Sequence, residues 1–232
     1  MGKTLVDRLL QGRRERAGRR FDARHGVETS ERVNRQKLSG MVSALRDHAG
    51  EYVASSPDLF RRILRKSGVD LADFAFIDLG CGKGRAVILA TSYPFREVVG
   101  VEADSHLFEG AQANLRQSGL DRRATLVHAD ASSFDPPAGD LFIYMYSPFR
   151  GPVFERLAGR LGALACEPGR AVVIAYSSDF ESPALERTGM FTRVRLRRRQ
   201  FWAPPSVSFF YNPAADAKRR IRAAEGRGGV ES

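Results

Sequence analysis

The stretch FIDLGCGKGRAVILA, residues 76–90, combines a strand-like apolar run, three glycines at alternate positions and a second apolar run. A buried strand that passes through a glycine-rich turn into a helix brings bare backbone and the positive helix N-terminus to the carboxyl edge of a sheet. The stretch therefore predicts an α/β domain with a ligand-binding loop. Such a loop serves a phosphate, a dinucleotide or another molecule that needs close backbone contact.

The spacing of the loop argues against the two common phosphate loops. A nucleoside-triphosphate loop continues from Gly-Lys into Ser or Thr, but Lys83 is followed by Gly84 and Arg85, so no hydroxyl is in place for magnesium. The dinucleotide fingerprint G-x-G-x-x-G, started at Gly80 and Gly82, requires its third glycine at position 85. Because that position is Arg85, the dinucleotide pattern fails by one residue.

Short apolar runs alternate with longer amphipathic runs over the rest of the chain. FAFIDL, DLFIYMY and AVVIAY are apolar without alternation, as expected of strands buried on both faces of a parallel sheet. FTRVRLRRRQFW instead alternates, and the turn APPS joins it to VSFFY, which predicts an antiparallel hairpin. We therefore predict an α/β fold with a doubly wound, mostly parallel seven-stranded sheet and a C-terminal antiparallel hairpin. The predicted strands are residues 74–79, 97–101, 124–127, 140–146, 170–176, 192–199 and 206–211.

Charge is concentrated at the two ends of the chain. Of the net charge of +10, residues 1–24 contribute 8 Lys/Arg against 3 Asp/Glu, and residues 193–232 contribute 10 against 3. We predict a basic N-terminal arm over residues 1–50, partly helical or flexible, a domain over 51–213, and a basic tail over 214–232 that is frayed beyond Pro213. Basic ends on a neutral core fit nucleic-acid arms, anion-attracting rims of a site, or solubilising tails.

The apolar runs are too short for a membrane span, which needs roughly 20 residues. The N-terminus lacks the continuous hydrophobic segment of a secretory signal, so we expect a cytoplasmic protein. Cys81 and Cys166 are the only cysteines, and neither has a Cys or His nearby at metal-ligand spacing. This pattern argues against a disulfide framework and a zinc site, and no metal is expected.

The segment DLGCGKG, residues 78–84, resembles the first motif of class I S-adenosylmethionine-dependent methyltransferases. In that family the loop wraps the amino-acid part of the cofactor, and the acid interacts with the cofactor's ammonium group. The resemblance implies S-adenosylmethionine as cofactor and a Rossmann-like methyltransferase fold. Lys83 and Arg85 are expected on the rim or the helix surface, where Arg85 could pair with an acid across the site. The cofactor contacts implied in this loop are Asp78, Gly80, Cys81, Gly82 and Gly84.

Two later acids lie in the register of the same cofactor. Glu102 comes 22 residues after Gly80, at a strand end where a carboxylate can hydrogen-bond both hydroxyls of a ribose. Dehydrogenases share this acid, so Glu102 and the adjacent Ala103 support adenosine binding without choosing the cofactor. Asp130 and Ala131 follow the third strand, where the methyltransferase pattern has an acid that receives the adenine amino group.

A closer similarity is to bacterial methyltransferases of unassigned substrate, carried by FIDLGCGKGR, YPFREVVGVE, FDARHGVETS and EYVASSP. In related lysine-directed enzymes an N-terminal tyrosine and a hydroxyl residue close over the cofactor. This implies lid contacts for Tyr52 and Ser55. Ser56 is predicted to cap a helix that begins at Pro57.

The acceptor is expected at the end of the fourth strand, where the chain reads YSPF, residues 146–149. Amino-directed methyltransferases often carry Asp, Asn or Ser followed by Pro-Pro and an aromatic residue there, and Tyr146, Ser147, Pro148 and Phe149 resemble a shortened form without the second proline. In that pattern polar groups accept hydrogen bonds from the amine, and the ring packs on the developing cation. The alternative is an ordinary turn with Phe149 in the core.

The resemblance implies methyl transfer to an unidentified acceptor and favours an amine of a protein, peptide or small molecule. One alternative is an RNA or DNA methyltransferase that uses the basic flanks. Another is a non-catalytic module that binds an adenosine ligand or nucleic acid. The sequence leaves the acceptor and the oligomeric state open.

Overall fold

The computed structural model of the chain describes residues 5–33, 52–146, 149–178, 180–196 and 206–228. Seven helices and seven strands lie within these described ranges, together with a 3-10 turn at Leu71–Asp73. The strands are β1 (Phe74–Leu79), β2 (Glu97–Glu102), β3 (Thr125–His128), β4 (Asp140–Met145), β5 (Val172–Tyr176), β6 (Thr192–Leu196) and β7 (Val207–Tyr211). The helices are α1 (Leu5–His25), α2 (Pro57–Lys66), α3 (Arg85–Ala90), α4 (Ser105–Gln117), α5 (Pro152–Ala165), α6 (Ser182–Arg187) and α7 (Pro213–Gly228).

The strands form one seven-stranded sheet in the order β3-β2-β1-β4-β5-β7-β6. Strands β1 to β5 pair in parallel, whereas β7 is antiparallel to β5 and β6 is antiparallel to β7. This topology confirms the predicted α/β fold and its C-terminal hairpin. The strand order reverses beside β1, so the carboxyl ends of β1 and β4 border a crevice, the usual ligand site of such sheets.

Both faces of the sheet are buried, as the uninterrupted apolar runs predict. Alternate residues such as Phe76 and Phe142 pack on one face with side chains of α1 to α4 and α7. Their neighbours Ile77 and Ile143 pack on the other face with α5 and α6. Among the described ranges, no helix is long and apolar enough to cross a membrane.

The chain beyond Pro213 is helical as far as Gly228, so the predicted frayed tail is wrong over this segment. The Oδ1 atom of Asn212 accepts a hydrogen bond from the amide of Ala215 at 3.0 Å, and Pro213 occupies the first turn. Lys218 then pairs with Asp73 and Asp140, both at 2.8 Å. The composition of this segment does not reveal the helix, because a cap and ion pairs to distant residues stabilise it.

The N-terminal segment is joined to the domain through Arg85, the first residue of α3. Arg85 is 4% exposed, so its predicted place on the rim or helix surface is wrong. Its Nε donates to Thr29 Oγ1 at 2.7 Å, one Nη donates to Ser30 Oγ at 2.7 Å, and the same nitrogen lies 3.4 Å from Asp22 Oδ1. Its other Nη donates to the carbonyl of Ser55 at 3.3 Å. The guanidinium can be buried because residues 22–30 and Ser55 supply these partners.

The domain division at residues 50 and 213 stays a prediction.

Replacing Asp22 by Ala is expected to destabilise the protein by about 3–5 kcal/mol, because it removes the only acid that pairs with the buried Arg85 within the described residues. It also removes the acceptor for the amides of Thr29 and Ser30, at 3.1 and 2.8 Å. The measurement is urea unfolding followed by circular dichroism. The control is Asp135→Ala, which breaks an ion pair with Arg160 whose acid is 92% exposed and should leave stability unchanged. Equal losses of stability in both variants would contradict the conclusion that Arg85 joins the N-terminal segment to the domain.

Candidate functional site

The glycine loop turns sharply between β1 and α3. Gly80, Gly82 and Gly84 all have left-handed backbone conformations, with φ of 80°, 55° and 83°. Glycine alone adopts this region without strain, which explains its alternate spacing. The amides of Gly80 and Cys81 donate to the carbonyl of Val101 at 2.9 and 3.0 Å, so the loop is anchored on the end of β2.

Glu102 closes the loop from the neighbouring strand. Its side chain is buried, and its Oε2 accepts a hydrogen bond from the amide of Gly82 at 2.7 Å. Its Oε1 accepts from the amides of Ala103 and Asp104, both at 2.9 Å. Burial raises the pKa of Glu102, and these three backbone N–H groups oppose the shift. The carboxylate is therefore fixed at the end of β2, beside the loop.

Asp78 lies at the carboxyl end of β1 and is 3% exposed. Among the described residues, no hydrogen-bond donor or cation contacts its carboxylate. Burial, and the nearby Glu102 carboxylate, raise the pKa of Asp78 well above its usual range. A buried carboxylate without a partner is costly, so this position favours a cationic ligand that would complete it.

Tyr52 covers the loop from the N-terminal side. A Cβ atom built on Gly82 would lie only 2.1 Å from Cε2 of the Tyr52 ring, so the ring is packed directly on this glycine. The Tyr52 hydroxyl donates to the carbonyl of Thr29 at 2.9 Å, and the backbone of Tyr52 pairs with Val33 in an isolated antiparallel bridge. Burial raises the pKa of the Tyr52 hydroxyl. The structure therefore brings Tyr52 to the predicted cofactor loop.

Ser55 lies beside the same crevice and is 6% exposed. Its Oγ accepts a hydrogen bond from the hydroxyl of Tyr144 at 2.8 Å, and Tyr144 of β4 is the register partner of Asp78. Ser56 occupies the N-cap position of α2, as predicted, but its side chain makes no capping hydrogen bond.

The side chain of Asp130 stabilises the turn that follows β3. Asp130 Oδ1 accepts from the amide of Ser132 and Oδ2 accepts from its hydroxyl, each at 2.8 Å. Ala131 is buried. These contacts explain the turn, and the predicted role of Asp130 and Ala131 toward adenine stays a prediction.

The YSPF segment is described in part. Ser147 and Pro148 lie outside the described residues. Phe149 is 5% exposed and belongs to the core cluster that contains Val153 and Phe154 of α5. This placement favours the alternative in which Phe149 is a core residue.

Tyr146 is half-buried at the end of β4. Burial raises the pKa of its hydroxyl, while Arg14, Arg32 and Arg85 lower it. The three arginines line one cavity together with Tyr146, which the sequence predicts to lie near the acceptor.

Sequence reasoning missed the contacts that seat the N-terminal segment on the loop. Asn114 of α4 accepts from the amide of Glu28 at 2.8 Å and donates to the carbonyl of Lys83 at 2.9 Å. Lys83 also pairs with Glu31 at 2.5 Å. The one signal in the sequence was the FDARHGVETS segment, which holds Asp22, Glu28 and Thr29 but does not say what they contact.

Comparison with known proteins finds similarity to methyltransferases. Residues 76–153 match the family model described as Methyltransferase domain. The chain is 33% identical over 85 residues to a protein-lysine N-methyltransferase of Saccharolobus islandicus, a match that covers 36% of this chain and 52% of that protein. It is 27% identical over 88 residues to a ribosomal protein L11 methyltransferase of Alteromonas mediterranea, covering 38% and 29% respectively. The chain thus spans about half or less of the length of these curated relatives.

The fold is also found among solved structures. The structure of TrmN from Thermus thermophilus superposes with a TM-score of 0.50 at 20% identity, over 68% of this chain and 49% of that one. At this identity the likeness shows a shared fold.

Replacing Gly82 by Ala is expected to reduce stability more than replacing Gly26 by Ala. Both glycines have left-handed φ, at 55° and 64°, so both variants carry a backbone strain of roughly 1–2 kcal/mol. Only at Gly82 does the new methyl group meet a neighbour, the Tyr52 ring, because nothing lies within 4 Å of a Cβ at Gly26. Thermal unfolding of both variants measures the difference.

Adding Tyr52→Ala to Gly82→Ala provides the second test of this contact. The double variant should lose less stability than the sum of the two single variants, because the clash is gone. Strictly additive effects would show that the ring does not rest on the loop.

Proposed function

We propose that this chain, a class I S-adenosylmethionine-dependent methyltransferase by its fold and its matched domain, transfers a methyl group to an amine at the carboxyl end of β4. The observation that carries the proposal is the buried carboxylate of Asp78 beside the glycine loop, which no described residue pairs with. This arrangement supports a ligand that carries a positive charge and also contacts the backbone of the glycine loop.

The residues present fit the cofactor. Asp78 would hold the ammonium group, the glycine loop would receive the amino-acid part, and Glu102 would accept hydrogen bonds from the ribose hydroxyls. When bound, S-adenosylmethionine supplies an electrophilic methyl group on a sulfonium. The proposed cofactor contacts are Tyr52, Ser55, Asp78, Gly80, Cys81, Gly82, Gly84, Glu102, Ala103, Asp130 and Ala131.

The chain's part in methyl transfer is alignment and exclusion of water. Tyr52 covers the loop, while the Tyr144–Ser55 hydrogen bond closes the crevice between β4 and the N-terminal segment. Tyr146 lies where an acceptor would approach, and its hydroxyl would orient the attacking lone pair. Ser147, Pro148 and Phe149 stay predicted members of the acceptor site.

An amine must be neutral to attack, and the charges near Tyr146 favour that form. Arg14, Arg32 and Arg85 all act electrostatically on its hydroxyl. Nearby cations disfavour a protonated amine, so they lower the amine's pKa. The relative named as a protein-lysine N-methyltransferase further supports an amine acceptor.

The basic C-terminal flank gives little support to the alternative of a nucleic-acid substrate. Its described cations are largely engaged within the chain: Lys218 pairs with Asp73 and Asp140, and Arg219 and Arg220 pair with Asp216. Arg222 pairs with Asp70 at 2.8 Å. The adjacent carboxylates reduce the positive charge that this flank presents to a phosphate backbone. A cytoplasmic location also remains a prediction.

Replacing Asp78 by Asn is expected to weaken binding of S-adenosylhomocysteine by roughly tenfold or more, because a charge-assisted contact to its ammonium is lost. Titration calorimetry measures this affinity. Glu102→Ala should weaken binding as well, whereas Asp135→Asn, an exposed acid, should leave it unchanged. Unchanged affinity in both site variants would remove the basis of the proposed site.

The same Asp78→Asn substitution is expected to stabilise the ligand-free protein at neutral pH. Because the folded pKa of Asp78 is raised, the native protein binds the proton more tightly than the unfolded chain. Its contribution to stability therefore falls as the pH rises above the ordinary value of 3.8 and through the raised folded pKa. Urea unfolding of wild type and variant at a series of pH values from about 4 to about 8 measures the effect; a variant that is less stable than wild type at neutral pH would contradict it.

Tyr146→Phe is expected to reduce methyl transfer by roughly tenfold or more through loss of acceptor alignment, with little change in cofactor affinity. Ser147→Ala tests the neighbouring position in the same way. The readout is label transferred from radiolabelled cofactor into the protein, RNA and small-molecule fractions of a cell extract. Tyr93→Phe, a partly buried tyrosine just after the C-terminal end of α3, is the matched control. Full activity of both site variants would return YSPF to an ordinary turn.

A further inference from the structure

A cavity of about 80 Å³ lies beside Tyr146, under the N-terminal helix. Its lining includes Gln11, Arg14 and Gly18 of α1, Ser30 and Arg32 of the following segment, and Tyr146 of the sheet. Residues of α1 at this spacing lie on one face of the helix. The cavity thus joins the N-terminal helix to the proposed acceptor site.

The cations of this cavity differ in what they contact. Arg85 also lines it, but its donors are already engaged with Thr29, Ser30, Ser55 and Asp22. Within the described part of the chain, neither Arg14 nor Arg32 forms a hydrogen bond or an ion pair.

The one acid in the lining does not neutralise these arginines. Glu15 accepts a hydrogen bond from Gln11 at 2.9 Å, on the same helix. Arg14 is half-buried, and burial lowers the pKa of its guanidinium. A partly desolvated cation without an acid favours an anion as its partner.

We propose that this cavity binds an anionic group, a carboxylate or a phosphate, carried by the methyl acceptor itself, with Arg14 and Arg32 as its ligands. The acceptor is then a small amine that bears a negative charge. This inference rests on the proposed function, since Tyr146 forms both the acceptor site and one wall of the cavity.

The dimensions agree with a small group. A cavity needs about 10–15 Å³ for each water-sized occupant, so about 80 Å³ accommodates a group of several heavy atoms. Guanidinium groups offer a planar fork that matches carboxylate and phosphate geometry. An anion held here would bring its amine next to Tyr146.

The test compares four proteins loaded with S-adenosylhomocysteine. They are the wild type, a double glutamine variant (Arg14→Gln and Arg32→Gln), a double lysine variant (Arg14→Lys and Arg32→Lys), and the single variant Arg16→Gln. Arg16 is exposed on the same helix and does not line the cavity, so it is the matched control. Each protein is titrated by calorimetry with inorganic phosphate, with glutarate and with a short single-stranded RNA. Thermal unfolding checks that all variants are folded.

Phosphate or glutarate should bind to wild type and to the Arg16→Gln control, and the double glutamine variant should bind roughly tenfold or more weakly. The double lysine variant should retain part of the affinity, because it keeps the charge. Whichever probe binds more tightly identifies the anionic group of the acceptor.

The proposal would be overturned if the four proteins bound each small anion with the same affinity, or if wild type bound neither anion. It would also be overturned by RNA binding that Arg16→Gln weakens as much as the double glutamine variant does, because a general basic surface would then explain the binding. The cofactor affinity of wild type is measured separately. Absence of anion binding to wild type, with its cofactor binding intact, refutes the cavity assignment alone, whereas absence of cofactor binding refutes the proposed function.

Discussion

The buried guanidinium of Arg85 connects the parts of the molecule on which the site depends. It is the first residue of α3, directly after the glycine loop, and it bonds to residues 22–30 and to the carbonyl of Ser55. These contacts hold α1 and Tyr52 over the carboxyl edge of the sheet. Without these contacts the glycine loop would still form, but α1 and Tyr52 would not be held in place over the loop and beside the cavity at Tyr146.

The crevice beneath this cover places like charges close together. Asp78 and Glu102 end neighbouring parallel strands, both are buried, and burial raises both pKa values. Backbone amides stabilise Glu102, but no described residue does so for Asp78. Such a local cost to stability is typical of sites whose ligand supplies the missing charge. At the proposed acceptor site the nearby charges are instead positive, since three arginines lie around the same cavity as Tyr146.

Several features could be predicted because they depend on neighbours in sequence. The glycine loop, the strand-end acid Glu102 and the apolar runs of the buried strands are local patterns, and the sheet follows from them. The helix after Pro213 could not be recognised, because its cap is local but its ion pairs come from Asp73 and Asp140. The burial of Arg85 could not be predicted for the same reason, because its partners other than Ser55 lie more than 50 residues earlier in the chain.

The sequence by itself determined the fold class, the glycine loop and the place of Glu102 beside it, because strand and turn chemistry are encoded at fixed short spacings. Only the tertiary structure decided that the basic N-terminal segment covers the glycine loop and that Phe149 belongs to the core. It also decided that Arg14 and Arg32, which pair with no acid among the described residues, line a cavity with Tyr146. Charge along a chain does not reveal which cations are paired. Pairing depends on which distant carboxylates the fold brings within reach, and on how far water is excluded around them.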